Sequence, residues 1–451
     1  MGHPVVDDLL AALHEASVVV DRDVVEGYRH DRAMAVQPGR PLAVVRPSTI
    51  EEVQEAVRVA ARHQVPIVTR GSGSGLSGGS AALDGAITLS TERLRRLEVD
   101  RAAMVAVVGP GVINAELKSA ARAEGLWYPP DPSSFEICSI GGNLATNAGG
   151  LCCVKYGVTT DYVLGLEVVL ADGRAVRLGG RTIKDVAGYD LKRLFVGSEG
   201  TLGIITEATL RLRPLPPPPT TIAATFGHVS EAGTAVTAVT AVLRPSALEL
   251  MDAAAIAAVE RVRPMGFAPD VAALLIAQTD GPADEAALVA DAFRDAGATQ
   301  VVVSDDEAEG ELLMAARRMA IPCVERLGTV LIEDVGVPLP RVPDLVVAVA
   351  EVAQLHQVDV PLIGHAGDGN FHPLVTYDAT DPAARARAAA AFDEIMDVAL
   401  ALGGTITGEH GVGSLKAGHL ERQLGPDALD LTRRIKDALD PTGLFNPGTW
   451  L

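Results

Sequence analysis

The spacing of apolar residues in the first half of the chain predicts short strands separated by a few helices. The helix at 49–63 begins at a capping box, in which Ser48-Thr49 is followed by Glu51-Glu52. Short apolar runs bounded by glycine and polar residues are typical of buried strands. The elements predicted on this basis are helices at 49–63 and 114–124, strands at 66–69, 86–89, 104–108 and 202–212, and a hairpin at 164–178.

The second half alternates strand-like runs with alanine-rich helical segments. Gly403-Gly404 ends a long helix predicted at 383–402. This alternation favours an α+β lobe, in which helices pack on an antiparallel sheet. The predicted strands of this lobe are 222–226, 247–251, 272–278, 300–303 and 329–335.

A run of prolines separates these two patterns. Residues 214–219 read PLPPPP, a composition that favours extended polyproline geometry and cannot continue a helix or an inner strand. A chain of 451 residues is long enough for two or three domains. We therefore predict a first lobe over 1–215 and a second lobe over 216–439.

The predicted strand at 66–69 runs into a loop that contains five glycines between Gly71 and Gly79. Glycine tolerates positive φ angles, and consecutive backbone N–H groups in such a loop suit an anion such as a diphosphate. Residues 73–78 match G-x-G-x-x-G, but the helix that a dinucleotide-binding Rossmann fold requires does not follow. No Gly-Lys-Ser/Thr follows either, so a P-loop is excluded. Taken alone, the loop fits a flexible surface loop equally well.

The charge balance excludes some classes of partner. Lysine and arginine number 38 and aspartate and glutamate 58, which gives a net charge of −20. Such a surface repels phosphate backbones and anionic lipid, so nucleic acid and membrane surfaces are not expected partners. An anionic substrate would need a local patch of positive charge in its site.

The cysteines and the N-terminus indicate a reducing compartment. Cys138, Cys152, Cys153 and Cys323 form neither a disulfide framework nor a CxxC motif, so we expect reduced thiols and no cysteine-ligated iron–sulfur cluster in this chain. The first residues lack the features of a signal peptide, and no apolar run is long enough to span a membrane. We expect a cytoplasmic protein.

Further motifs accompany the glycine loop. They are PPDP at 129–132, SIGGNLATNAGG at 139–150, YGVTTDYVLGLEVVLADG at 156–173 and FVGSEGTLGIITE at 195–207. Their order resembles the PCMH-type FAD-binding lobe of the vanillyl-alcohol-oxidase superfamily. Within it, the chain is most similar to the branch of the glycolate oxidase flavin subunit and D-lactate dehydrogenase, with D-2-hydroxyglutarate dehydrogenases as near relatives.

The resemblance implies a PCMH-type FAD-binding lobe, an α+β substrate lobe and a short C-terminal return, 440–451, to the FAD lobe. Relatives that bind flavin covalently do so through a histidine in the first glycine loop. This loop has no histidine, so we expect non-covalent FAD. The cofactor-binding residues implied by the resemblance are Arg70, Gly71, Ser72, Gly73, Ser74, Gly75, Leu76, Ser77, Gly78, Pro130, Asp131, Ser139, Gly141, Gly142, Asn143, Thr146, Asn147, Gly149, Gly150, Glu199, Gly203, Ile205 and Asn446.

Two histidine motifs, GHAGDGNFHP and GEHG, stand in the second lobe. The Gly-Asp-Gly-Asn segment strongly favours a tight turn, and a turn there would bring His365 and His372 together. Glu409 would complete a set of two histidines and one carboxylate, which Zn²⁺, Mn²⁺ and Fe²⁺ all accept. By resemblance, His365, His372 and Glu409 are the metal ligands and His410 is the general base.

A substrate carboxylate also needs a cation. The resemblance gives this role to Arg317, whose planar guanidinium suits a carboxylate. Arg318 is the alternative candidate. The explanation that involves no substrate binding is that both arginines lie on the surface of a helix. Lys416 is a weaker candidate.

The resemblance implies FAD-dependent oxidation of a small D-2-hydroxy acid to the 2-oxo acid. The metal would assist deprotonation of the hydroxyl by His410, and hydride would move from C2 to flavin N5. D-2-hydroxyglutarate enzymes tend to carry a polar residue and a lysine where this chain has Leu374 and Ile332. Glycolate or D-lactate is therefore favoured, and D-2-hydroxyglutarate is the alternative.

Other functions fit the sequence less well. An alkyl-dihydroxyacetone-phosphate synthase uses adjacent histidines that this chain lacks, and an NAD-linked dehydrogenase would need the missing Rossmann helix. A non-catalytic FAD-binding subunit of a glycolate oxidase complex would have lost the histidine motifs. Electrons must leave the flavin to oxygen, a quinone, an electron-transfer flavoprotein or a separate iron–sulfur subunit, and the resemblance implies one of the last two. A homodimer is left open.

Overall fold

The computed structural model describes residues 3–450, which form two compact units. The first unit takes up the chain as far as Gly149, then Val158–Leu215, and then the residues from Glu409 onward. The second unit combines Gly150–Gly157 with Pro216–Gly408. The chain therefore passes from one unit to the other four times.

The last stretch of the first unit is longer than the return predicted at 440–451. Helix Leu420–Leu439 packs Ile435 and Leu439 against an apolar core of the first unit. Lys436 Nζ donates to the carbonyl of Thr201 at 2.7 Å. These contacts assign the helix to the first unit, and the second unit ends at Gly408 rather than at 439.

One sheet of the first unit has four strands, in the order Val18–Val19, Ala43–Val45, Ile87–Ser90 and Ile67–Arg70. The last three run parallel to one another. Helix Ile50–His63 contributes its apolar face to the same core. A parallel sheet needs crossover connections of this kind to cover its faces.

The predicted capping box forms at the start of helix Ile50–His63. Thr49 Oγ1 accepts from the backbone N–H of Glu52 at 3.3 Å. The carboxylate of Glu52 in turn accepts from the backbone N–H of Ser48 at 2.6 Å. The pattern Ser-Thr-x-Glu-Glu thus correctly predicted where this helix begins.

The C-terminal segment borders the strand Ile67–Arg70. Ile67 N–H donates to the carbonyl of Leu444, and Asn446 N–H donates to the carbonyl of Ile67, both at 2.8 Å. Ile67 and Phe445 form a parallel bridge, and Phe445 is completely buried. The last part of the chain therefore completes a sheet whose strands come from the first 90 residues.

A second sheet of the first unit is antiparallel. Its strand order is Leu97–Asp100, Val105–Val108, Ile204–Arg211, Val163–Val169 and Ala175–Gly179. The last two strands are the predicted hairpin, which turns at Asp172-Gly173. The helices of this unit are Pro4–Ala12, Arg22–Glu26, Ile50–His63, Asn114–Ala123, Ile140–Thr146, Lys192–Phe195 and Leu420–Leu439.

The second unit is built on one antiparallel sheet with helices packed on it, as predicted. Its main strands follow the order Gln300–Ser304, Thr220–Phe226, Ala273–Thr279, Ala247–Asp252, Leu362–His365, Asn370–Tyr377 and Thr329–Ile332. The short strand Val335–Gly336 pairs with Asn370–Tyr377. Its helices are Cys153–Tyr156, Val229–Val242, Ala253–Val262, Asp284–Asp295, Glu307–Arg318, Ala320–Val324, Val342–His356 and Pro382–Ala401.

Over residues 3–450, no helix has both the length and the apolar composition needed to cross a membrane.

Candidate functional site

Arg70 is a buried cation at the base of the glycine loop, residues 71–79. Arg70 is 7% exposed, and its guanidinium carbon lies 6.0 Å from the centre of the Tyr28 ring. Burial lowers the pKa of Arg70. A Cβ at Gly73 would lie 2.0 Å from Arg70 Nη2, and Gly73 has a φ of +73°, so this position requires glycine. Among the described residues, Arg70 Nη1 has no hydrogen-bond partner.

The glycine loop contacts the second glycine-rich stretch, residues 139–149. Ser72 N–H donates to Ser139 Oγ at 3.3 Å. A Cβ at Gly71 would lie 2.4 Å from the same oxygen, so a side chain there would separate the two stretches. The first unit therefore brings together two of the predicted cofactor-binding segments.

Several predicted cofactor-binding side chains in the second stretch have structural partners. Asn143 Oδ1 accepts from Asn114 Nδ2 at 3.0 Å, and Asn143 Nδ2 lies 3.2 Å from Cys138 Sγ. Asn147 Oδ1 accepts from the backbone N–H of Thr160 at 2.9 Å. These amides fix the local backbone. All the predicted FAD-binding residues lie in the first unit except Gly150, which lies in the second.

Glu199 lies in the third glycine-rich stretch, residues 195–207, and is 6% exposed. Oε1 accepts from the backbone N–H of Val412 and from Trp450 Nε1, both at 2.7 Å. Oε2 accepts from the backbone N–H of Gly413 at 2.9 Å. Burial raises the pKa of Glu199, and the hydrogen bonds from Trp450, Val412 and Gly413 partly oppose that shift. No sequence pattern indicates that this carboxylate binds the backbone just after His410.

The predicted base, His410, lies at the start of the last stretch of the first unit. Ser77 Oγ, in the glycine loop, donates to the carbonyl of His410 at 3.0 Å. Leu415 N–H donates to the carbonyl of Ser77 at 3.0 Å. Lys416, the weaker candidate cation, is 2% exposed. The segment after the Glu-His motif is thus bound to the glycine loop within one unit.

In the second unit, the Gly-Asp-Gly segment forms the turn of a hairpin. The strands Leu362–His365 and Asn370–Tyr377 pair in a register that sets His365 opposite Asn370 and His372 opposite Ile363. The two histidines are diagonal neighbours on one face, so long side chains can meet. Their ring centres are 5.2 Å apart and both residues are buried.

Glu249 is a functional candidate that the sequence did not indicate. It lies directly across from His365 in the pairing of Ala247–Asp252 with Leu362–His365. Its carboxylate oxygens lie 2.8 and 3.0 Å from His365 Nδ1. A carboxylate at Nδ1 fixes the ring orientation and directs Nε2 away, as in many metal sites.

Arg317 joins the same buried group. It lies in helix Glu307–Arg318 and is 2% exposed, and its Nη2 is 2.9 Å from Glu249 Oε2. Arg318, the alternative, instead pairs with Glu311 at the surface. The surface-pair explanation is therefore wrong for Arg317 and right for Arg318.

Asp334 and Glu333 add two buried carboxylates. Asp334 Oδ2 accepts from Thr407 Oγ1 at 2.6 Å and from the backbone N–H of Gly408 at 2.8 Å. Asp334 Oδ1 lies 3.6 Å from His372 Nδ1. No sequence pattern indicates Asp334 as a site residue, because its partner Thr407 lies 73 positions later in the chain.

Ile332 and Leu374, the two residues on which the prediction of a small substrate depends, are neighbours in the sheet. Ile332 and Leu374 face each other across the pairing of Thr329–Ile332 with Asn370–Tyr377. Ile332 is 9% exposed and Leu374 is completely buried. Because Leu374 is two residues beyond His372 in the strand, the side chains of Leu374 and His372 lie on the same face.

Comparisons with known proteins agree with this architecture. The family model "FAD linked oxidases, C-terminal domain" matches residues 215–450, and "FAD binding domain" matches residues 41–179. The chain is 40% identical to the glycolate oxidase subunit GlcD of Bacillus subtilis, over 93% of this chain and 91% of that protein. It is 37% identical to a D-lactate dehydrogenase of Archaeoglobus fulgidus, over 94% of this chain and 95% of that one.

A solved structure supports the fold assignment. p-Cresol methylhydroxylase matches with a TM-score of 0.82 at 20% identity, over 98% of this chain and 95% of that one. At this level of identity the likeness concerns the fold alone. It confirms the prediction of a PCMH-type lobe joined to an α+β lobe.

Proposed function

The chain belongs to the FAD-linked oxidases, and we propose that it oxidises a small D-2-hydroxy acid, glycolate or D-lactate, to the 2-oxo acid. Membership confirms the resemblance found in the sequence. We infer the substrate class from the buried group of His365, Glu249 and Arg317. This group combines an oriented imidazole with a cation that can bind a carboxylate. Relatives named glycolate oxidase and D-lactate dehydrogenase support the same class.

The first unit fits FAD. A side chain at Gly71 or Gly73 would displace Ser139 or Arg70, so glycine keeps the loop packed against these two residues. The buried guanidinium of Arg70 lies at the base of that loop, where it can donate to a diphosphate. We assign the diphosphate to this loop. FAD, when bound, supplies the acceptor for the hydride from C2 of the substrate.

The second unit fits a divalent cation. Glu249, Glu333 and Asp334 carry three formal negative charges, Arg317 carries one positive charge, and each is at most 2% exposed. Burying a surplus of carboxylates is costly, and a dication beside His365 and His372 would neutralise the group. Such an ion lowers the pKa of a bound hydroxyl.

Chain connectivity supports Glu409 as the third ligand. The peptide N–H of Gly408 is hydrogen-bonded to Asp334, and Glu409 is the next residue in the chain. We assign His365, His372 and Glu409 as ligands of Zn²⁺, Mn²⁺ or Fe²⁺. His410 follows immediately, and we assign it as the base that accepts the hydroxyl proton.

Arg317 is assigned to the substrate carboxylate. A guanidinium has five N–H donors and can bind two carboxylates at once, so an ion pair with Glu249 is compatible with substrate binding. Glu249 holds Arg317 and His365 in fixed relation, because the same carboxylate contacts both. One buried acid therefore holds both the arginine assigned to the substrate carboxylate and one of the assigned metal ligands.

Ile332 and Leu374 support a short substrate. They form an apolar pair beside His372, where a distal carboxylate would be left without a hydrogen-bond partner. We therefore favour glycolate and D-lactate over D-2-hydroxyglutarate. A non-catalytic FAD-binding subunit is the weaker proposal, because such a subunit has no need to retain the buried group around Glu249.

The electron acceptor is proposed to be a separate protein. The relative in Bacillus subtilis is named as a subunit, which supports an assembly with other chains. An iron–sulfur subunit or an electron-transfer flavoprotein would accept electrons from the reduced flavin.

The proposed function predicts which hydroxy acids reduce the bound flavin. Purified FAD-loaded protein is mixed anaerobically with glycolate, D-lactate, L-lactate or D-2-hydroxyglutarate, and the visible flavin absorbance is followed. Glycolate and D-lactate are expected to bleach the flavin, and L-lactate is not. A highest kcat/KM for D-2-hydroxyglutarate would overturn the assigned substrate, and no bleaching by any acid would overturn the function.

Removal of the metal is expected to abolish this bleaching while FAD stays bound. Dialysis against a chelator should leave the flavin spectrum and its chemical reduction by dithionite unchanged, because none of the assigned metal ligands belongs to the glycine loop. His372→Ala is expected to lower metal affinity by at least about 10- to 100-fold, measured by elemental analysis. His356→Ala is the matched control, since His356 pairs with Glu394 outside the buried group. Equal metal content in the two variants would remove His372 from the ligand set.

A further inference from the structure

Glu199 has a positive φ angle, and both of its carboxylate oxygens accept hydrogen bonds from the protein. Its φ is +51°, in the left-handed region that favours glycine. Its backbone N–H donates to the carbonyl of Ala145 at 2.8 Å, and its carbonyl accepts from Asn446 Nδ2 at 2.7 Å. Its carboxylate accepts the three hydrogen bonds from Val412, Gly413 and Trp450. Strain of this kind persists only where the surroundings determine the conformation.

The glycines around this carboxylate cannot be replaced without displacing it. A Cβ at Gly79 would lie 2.9 Å from Glu199 Oε2, and a Cβ at Gly411 would lie 2.8 Å from the carboxylate. Gly411 also has a φ of +87°. The glycine loop and the segment after His410 therefore close on the same carboxylate from two sides.

We propose that Glu199 is a positioning residue for His410. Its carboxylate binds the backbone two and three residues beyond His410, and Ser77 binds the carbonyl of His410 itself. The base is thereby fixed relative to the glycine loop. This inference rests on the proposed function, because it takes His410 to be the base.

The alternative role for Glu199 is direct contact with the cofactor through its carboxylate. Both carboxylate oxygens already accept hydrogen bonds from protein N–H groups. Charge-assisted hydrogen bonds of this type are the strong ones in proteins, and breaking them to face a cofactor would be costly. The carboxylate of Glu199 is therefore assigned to binding the segment after His410. Only the backbone of Glu199 would border the glycine-rich stretches.

Glu199→Gln tests this inference because it keeps the size of the side chain. A glutamine amide group has one acceptor oxygen, and its NH₂ group would face at least one of the three N–H donors. We expect the limiting rate of anaerobic flavin reduction to fall tenfold or more, with FAD content and the substrate concentration for half-maximal rate unchanged. Glu207→Gln is the matched control, since Glu207 pairs with Arg96 at 2.6 Å and contacts none of these groups.

Hydrogen exchange provides a readout that does not depend on activity. In Glu199→Gln the amides of Val412 and Gly413 should exchange faster than in the wild-type and Glu207→Gln proteins. Trp450→Phe removes one donor and leaves the carboxylate, so it should produce a smaller change of the same kind and covers the case in which Glu199→Gln fails to fold.

Three results separate the inference from the proposed function. Unchanged reduction rate and unchanged exchange in Glu199→Gln would overturn the positioning role. Loss of FAD with unchanged exchange would assign the carboxylate to the cofactor and would also overturn it. If no hydroxy acid reduces the wild-type flavin, the proposed function fails, and faster exchange at Val412 and Gly413 would then support only the mechanical attachment of this segment.

Discussion

Replacing His410 with alanine is expected to slow reduction of the bound flavin by about two to four orders of magnitude, the usual contribution of a positioned general base. In the proposed reaction the imidazole would remove the hydroxyl proton as the hydride leaves C2, and alanine cannot accept that proton. Stopped-flow absorbance under anaerobic conditions, with glycolate or D-lactate in excess, measures the rate directly. FAD and metal content should not change, since neither assigned site uses the His410 ring.

A second histidine serves as the control for this experiment. His63 ends helix Ile50–His63 and pairs with Asp8 at 2.7 Å in the same unit. His63→Ala should reduce flavin at the wild-type rate. A His410→Ala protein that keeps more than a tenth of the wild-type rate would remove His410 from the base role, whatever the metal content.

Removing the charge of Glu249 is expected to destabilise the protein by about 3–5 kcal/mol, the usual cost of breaking a buried ion pair from one side. Glu249→Gln leaves the guanidinium of Arg317 buried without its carboxylate and weakens the bond to His365 Nδ1. Urea unfolding of the FAD-loaded protein, followed by circular dichroism, measures the change in the free energy of unfolding.

The same helix supplies the matched control. Arg318 is the neighbour of Arg317, and its partner Glu311 is 63% exposed. Glu311→Gln should change the free energy of unfolding by at most about 1 kcal/mol, as exposed ion pairs do. Equal effects from the two substitutions would mean that the Glu249 pair is not a buried determinant of stability.

Much of the fold could be predicted because its signals are local. The capping box at Thr49, the Asp172-Gly173 hairpin and the glycine loop each depend on a few consecutive residues. The turn that brings His365 and His372 together is of the same kind. The predicted strand at 329–335 ends at Ile332, because Glu333 and Asp334 turn into the buried group.

The strands Leu362–His365 and Asn370–Tyr377 were not predicted, although the turn between them was. Glycine, aspartate and Pro373 gave this region the composition of a loop, and tertiary pairing on both sides overrode that tendency. A strand that is central in a sheet draws its stability from its neighbours, which a short window of sequence does not contain.

The partners of the site residues depend on long-range pairing. Glu249 meets His365 across 116 positions of sequence, and Glu199 meets Val412 across 213. No pattern of spacing in one sequence indicates such contacts. The choice between Arg317 and Arg318 was open for a different reason, because adjacent residues of a helix point about 100° apart and only the packing decides which is buried.

The border between Ile67 and Phe445 affects how this protein can be synthesised. A nascent chain has made the strands of the first unit by residue 215, yet one edge of its parallel sheet stays uncovered until residues 444–446 have been synthesised. Until then, the Ile67 strand exposes backbone groups and an apolar surface that Phe445 later covers, the kind of edge that pairs with other chains. Because the chain also passes between the units four times, neither unit can be expressed as one continuous fragment without losing part of its own structure. The exposure of this edge to aggregation therefore lasts until Phe445 has been synthesised.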